Sequence, residues 1–237
     1  MAIAPLRVPT CVVISGGQAG AFYARQLLRA AAAGRLAVDR ILVIDREPDC
    51  AARQLADPRL ELVVASWDEW LDAHLGALAP ADQLVPYHWA PHLLVDWLRR
   101  EAERAGLMLE RAGRLAPMGL PFERDTGGGD RALSYASWPC PPACIEPALC
   151  PHTRGPRDWS LAADLAAAPT GFDGAVVFRS LHLVYGVAAI PVSAIHAARE
   201  LVLAPAATPR RFVVATASHC HGLASTLVSS AEWTRKI

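Results

Sequence analysis

Residues 11–47 read CVVISGGQAGAFYARQLLRAAAAGRLAVDRILVIDRE, and the fold is decided there. The run 11–14 is apolar without a break, as a strand buried on both faces requires. It meets a glycine-rich turn, 15–20, and then a segment, 21–33, dense in Ala, Leu and Arg. In that segment Phe22, Ala24, Leu27, Leu28 and Ala31 fall near helical spacing, and Gly34 supplies the stop. A second apolar run, 41–44, closes on Asp45. Strand, turn, helix and strand make one βαβ unit, whose two strands lie parallel.

The turn has a chemistry of its own. Glycines at 16, 17 and 20 let the main chain approach a pyrophosphate closely and let the helix pack tightly on the first strand. The helix start offers free N–H groups and a partial positive charge to phosphates. Asp45, at the end of the second strand, is placed to take ribose hydroxyls. Read without a ligand, the same residues make a tight βα turn that binds nothing.

The run VVISGGQAGAFYARQLL…ILVIDREPD resembles the NAD(P)-binding Rossmann superfamily, its TrkA-N-like branch in particular, over about the first quarter of the chain. The resemblance implies a dinucleotide role for Gly17, Gly20 and Asp45, with Gly16 beside them. Ser15 stands where the pattern has its first glycine. Asp45 favours NAD, whereas Arg46 next to it can accept the 2′-phosphate of NADP. FAD is also compatible with the turn, and S-adenosylmethionine enzymes use a similar turn and acid, so a transferase stays open.

The whole chain sets the bounds. It has 237 residues, 53% hydrophobic and 19% charged, with a formal net charge of zero. Such a chain builds a substantial core and is not disordered. No basic cluster interleaved with aromatics points to nucleic acid. The longest apolar stretch, 183–195, is broken by Gly186 and Pro191 and is too short for a membrane span. With no targeting segment read at the N-terminus, a cytoplasmic location is expected. There the six cysteines are expected to bind metal, react or lie buried rather than pair.

Further along, 61–65 and 82–86 read as strands, with Ser66 capping a helix from 67 and Pro91 opening one that runs to about 105. Residues 107–115, 175–179 and 211–217 read as strands, and 159–168 and 194–203 as helices, the latter capped by Ser193. A C-terminal helix is expected from Leu223. DTGGGD, 125–130, reads as a loop or hairpin tip. The expected architecture is a single Rossmann-like α/β domain over 1–237. Its mostly parallel sheet is begun by 10–110, interrupted by a Cys/Pro-rich irregular insertion over 112–158, and completed by 172–237.

Within that insertion, Cys140, Cys144, Cys150 and His152 give C-x₃-C-x₅-C-x-H, set among prolines at 139, 141, 142, 147, 151 and 156. Three thiolates and an imidazole suit tetrahedral zinc or an iron–sulfur cluster; the bland alternative is a proline-rich loop with buried or free thiols. His88 and His92 flank the start of a helix at a strand's C-terminal rim, where open α/β sheets bind ligands. His219, Cys220 and His221 follow a buried strand, and Cys220 reads as a further ligand or as a thiol activated by its histidine neighbours and a following helix N-terminus. His88, His92, His219 and Cys220 are therefore the expected catalytic groups. The sequence predicts a dinucleotide-binding protein, an NAD(P)- or flavin-linked oxidoreductase with a Cys/His metal site. It would act on a small molecule or redox partner, with a homo-oligomer left open. The alternatives are a non-catalytic NAD, redox or metal sensor, and an S-adenosylmethionine-dependent transferase.

Overall fold

The structure, a computed structural model, describes residues 4–87, 92–167 and 170–230. In chain order the elements are β1 (Leu6–Ile14), α1 (Gln18–Ala32), β2 (Leu36–Asp45), β3 (Leu60–Val64), α2 (Trp67–His74), β4 (Gln83–Val85), α3 (Leu93–Arg104) and β5 (Leu109–Arg111). There follow β6 (Phe122–Gly127), β7 (Asp130–Ser134), α4 (Leu161–Ala166), β8 (Gly174–Arg179), β9 (Leu181–Val184), β10 (Val187–Pro191), α5 (Val192–Leu203), β11 (Arg211–Ala217) and β12 (His221–Ser229). They form a mixed α/β structure with two mixed six-stranded sheets. The chain divides into two compact units, Met1–Tyr87 with Pro141–Ile145 and Ser180–Ile195, and the remainder.

The first unit carries the sheet β3-β2-β1-β4-β10-β9. Its first four strands are parallel, and β10 and β9 then run antiparallel. Helix α1 covers one face with Ala21, Tyr23, Ala24, Leu27 and Ala30, which pack with Cys11, Val13, Ile41 and Val43. The alternate residues Val12, Ile14, Leu42 and Ile44 are buried as well, which explains why both strands read as unbroken apolar runs. The helix ends as the glycine predicts. Gly34 takes φ +65°, and Arg35 N donates to Ala30 O across the last turn at 2.9 Å. Ser66 caps α2 by accepting from Glu69 N at 3.3 Å.

The second unit carries β6-β7-β12-β11-β8, with β5 also paired to β12. Only β11 and β8 run parallel; the remaining pairs are antiparallel. Its core gathers Leu115, Leu133, Leu161, Ala162, Leu165, Val213, Ala215, Ala217 and Ala224.

Three expectations are corrected. Residues 172–237 do not complete the first sheet; β9 and β10 alone join it, and β8, β11 and β12 build the second. The physical reason is the tight connection after β11. Ser218 N donates to His221 O at 2.8 Å, turning the chain back on itself, and β12 then pairs along the whole of β11. For the same reason the helix expected from Leu223 is a strand. Leu223, Ala224 and Leu227 suit either state, but Thr226 and Val228 are β-branched and both edges of β12 are paired. Finally, 112–158 is not irregular throughout. Phe122–Ser134 is the β6–β7 hairpin, with Gly127, Gly128 and Gly129 all at positive φ around its tip. Helix and strand are lacking in 112–121 and in 135–160, and the prolines crowd in the second of these.

Candidate functional site

In the first unit the glycine-rich turn lies at the carboxyl ends of β1 and β2. Ser15 has φ 85°, the left-handed conformation that the pattern reserves for glycine at that place. Its carbonyl oxygen would lie 1.7 Å from a Cβ at Gly20, so Gly20 is required by close packing of α1 on the turn. Gly17 is the N-cap of α1. No side chain caps this helix, and its first turn holds no acidic residue. Asp45 is buried and binds the turn from the neighbouring strand. Its Oδ2 accepts from Gly16 N at 2.6 Å and its Oδ1 from Glu47 N at 3.0 Å. Arg46 beside it is exposed.

Gly16 has a different neighbour from the one its sequence suggests. A Cβ there would lie 2.4 Å from Cys50 Sγ, and Gly16 O accepts from Ala52 N at 2.9 Å. The space beside this glycine is thus filled by the segment after β2. On the same rim, Ile44 O accepts both Ser15 N at 2.9 Å and Trp67 Nε1 at 3.1 Å. The Trp67 ring lies 4.7 Å from that of Tyr87, which follows β4.

In the second unit, His92 is 3% exposed and sits at the N-cap of α3. Its ring is held between two hydroxyls, Nδ1 at 3.0 Å from Ser225 Oγ and Nε2 at 2.9 Å from Thr216 Oγ1. Asp130 accepts from His92 N at 3.2 Å and from Ser225 Oγ, and pairs with Arg111, which also reaches Asp96 at 3.0 Å. Burial holds the His92 pKa down at about 4, with Arg111 adding to that and Asp130 opposing it. Both ring nitrogens are thus engaged by hydroxyls, and the ring is buried. His88 lies outside the described residues.

The Pro/Cys segment of this unit reaches the β11–β12 turn through Glu146. Its carboxylate accepts from Ser218 Oγ at 2.6 Å, His219 N at 3.1 Å and Cys220 N at 3.1 Å. Cys220 is buried, and its sulfur accepts from Trp159 Nε1 at 3.4 Å. Burial pushes this thiol up from its ordinary value. A strand, β12, and not the expected helix N-terminus, follows Cys220. His219 Nε2 lies 3.0 Å from Arg179 Nη2. Arginine only donates, so His219 Nε2 accepts and the ring proton sits on Nδ1, a buried atom without a hydrogen-bond partner among the described residues.

Cys140, Cys144, Cys150 and His152 are all described, and none of the cysteines is in a disulfide. Among the described residues no group of three or more His, Cys, Asp or Glu is placed to hold a metal ion. The His152 ring stacks on Trp138 with centroids 4.4 Å apart and planes 8° apart. Cys150 starts a tight turn in which Arg154 N donates to Cys150 O at 2.8 Å. The N–H of Thr153, joined by that of His152, points at the Cys150 thiol and lowers its pKa. Of the four, Cys144 belongs to the first unit and Cys140, Cys150 and His152 to the second.

Residues 94–230 match a family model, AF_1314_C, described as "Uncharacterized protein, C-terminal domain". The chain belongs to this family. The AF_1314_C match runs from the start of α3 to the end of β12. No curated protein and no solved structure matches the chain.

Within the AF_1314_C region, sequence reasoning passed over Arg111, Asp130, Glu146, Thr216 and Ser225. Asp130 closes the DTGGGD tip, so its burial is visible only once the hairpin packs. Glu146 stands between Cys144 and Pro147, where attention falls on the thiols. Outside that region, Trp67 carried one legible signal, its place directly after the capping Ser66.

Proposed function

We propose that the first unit is a Rossmann-like nucleotide-binding module and that the protein carries an adenine cofactor, NAD(P) foremost, on the turn after β1. The observation that carries this reading is Asp45 at the end of β2 hydrogen-bonded to the turn at Gly16. It is supported by the β3-β2-β1-β4 order of parallel strands, by Ser15 in a glycine-like conformation and by an α1 start free of side-chain caps. In such a sheet the strand order reverses between β1 and β4, and ligands bind outside the carboxyl ends at that point. Each Asp45 oxygen accepts one backbone N–H and keeps a further lone pair for a ribose hydroxyl. Arg46, exposed beside it, suits a 2′-phosphate.

A bound nicotinamide or flavin would supply hydride chemistry, which makes an oxidoreductase acting on a small molecule or redox partner the reading of choice. Gly17, Gly20 and the start of α1 would hold the phosphates. Cys50 supports a second reading: its sulfur fills the space beside Gly16, as suits a module that senses redox state without turnover.

Calorimetric titration of the purified chain with NAD+, NADP+, FAD and S-adenosylmethionine tests the proposal. Binding of NAD+ or NADP+ that is lost in Asp45→Ala is the expected result. S-adenosylmethionine binding alone would turn the reading to a transferase, and no binding by any of the four would overturn it.

A further inference from the structure

We infer that Trp67 and Tyr87 form the stacking surface for the adenine base, an inference that rests on the nucleotide reading above and names where its base lies. Ile44 O holds both the Trp67 Nε1 proton and the Ser15 N proton, at 3.1 and 2.9 Å. A single carbonyl thus anchors the indole beside the glycine-rich turn. The neighbouring Asp45 is in register with Val64 at the end of β3, and Asp45 O accepts from Ala65 N at 3.0 Å. Trp67 is the first residue of α2, two positions beyond Ala65.

Tyr87 comes from the other side of β1, two residues past the end of β4. The two rings meet with centroids 4.7 Å apart and planes tilted 39°. Both residues are half-buried, so aromatic surface stays open to solvent. Val64 adds apolar surface beside Asp45, at 55% exposure. The indole has spent its N–H on Ile44 and offers only its ring surface, which suits a π-face and not a polar group. A purine has such a face, and its ribose would then lie toward the Asp45 carboxylate. NAD+, NADP+, FAD and S-adenosylmethionine share adenosine, so the assignment holds for each of them.

The test compares wild type with Trp67→Leu, Tyr87→Leu and Trp67→Phe, each checked for folding by circular dichroism. The ligand is whichever of NAD+, NADP+, FAD and S-adenosylmethionine binds wild type most tightly by calorimetry. The two leucine variants are expected to bind it about tenfold more weakly or worse, the usual loss when a base loses its aromatic partner. Trp67→Phe, which keeps a ring but not the Ile44 hydrogen bond, is expected to lose less than Trp67→Leu. Equal affinity in wild type and Tyr87→Leu would overturn the stacking surface while leaving the nucleotide reading intact. Absence of binding by wild type would overturn both.

Discussion

Asp45 Oδ2 accepts the Gly16 N–H at 2.6 Å, so the residue that ends β2 also fixes the turn that ends β1. With Glu47 N on Oδ1, the carboxylate organises two backbone segments. Asp45→Ala strands a buried N–H at Gly16 and is expected to cost about 1–3 kcal/mol of stability. Asp45→Asn keeps one acceptor and should cost less. Urea unfolding of the three proteins measures the order.

Ser15 holds a backbone conformation that is strained for any residue with a Cβ, φ 85°. Ser15→Gly is expected to stabilise by about 1 kcal/mol, and Ser15→Val, with its branched Cβ, to destabilise by about 2 kcal/mol. The shift of the denaturation midpoint at constant slope reads both.

The neighbouring glycines differ in what they would strike. At Gly20 a Cβ meets the Ser15 carbonyl at 1.7 Å, which is backbone and cannot step aside, whereas at Gly16 it meets Cys50 Sγ, the end of a side chain. Gly20→Ala is therefore expected to be much the worse, failing to fold or losing more than about 3 kcal/mol. Gly16→Ala should lose roughly 1–3 kcal/mol, part of it recovered in the double variant with Cys50→Ala.

His92 makes stability depend on pH. Its pKa falls from 6.5 to about 4 on folding, so below pH 6.5 the unfolded chain takes up a proton that the folded one refuses. The stabilisation is complete above pH 6.5 and is lost as pH falls toward 4, reaching roughly 3 kcal/mol. Unfolding free energies at pH 7.5, 6 and 5 should show this decline, and His92→Gln should flatten it.

The thiols should react in a fixed order. Cys150 has its pKa lowered by the N–H of Thr153, Cys220 is raised by burial, and burial pushes Cys11 up to about 12. Iodoacetamide labelling of the native protein at pH 7.5, followed by peptide mass spectrometry, is expected to mark the half-buried Cys50, Cys140 and Cys144 before the buried Cys150 and Cys220, and to leave Cys11 untouched until the chain unfolds.

Local patterns were legible and distant meetings were not. The order β1, turn, α1, β2 follows from unbroken apolar runs and from glycines at 20 and 34, all local signals. Ser66 was readable as a cap because Glu69 stands three residues on. His92 could be placed at a helix start, but the hydroxyls that hold its ring come from residues 124 and 133 positions away, and no local pattern carries that. The cysteine spacing suggested a metal cage. His152 stacks on Trp138, a contact that the cysteine spacing does not announce. Residues from Leu223 onward misled because their composition suits helix while the available strand edges decide otherwise.

One consequence follows from β12 having β11 on one edge and both β5 and β7 on the other. Of the described strands it is the last to be synthesised. On the ribosome, β5, the β6–β7 hairpin and β11 must all emerge before the strand that joins them. The second sheet is therefore assembled late, around its final member, and its earlier strands wait with open edges until residue 229 is free of the exit tunnel.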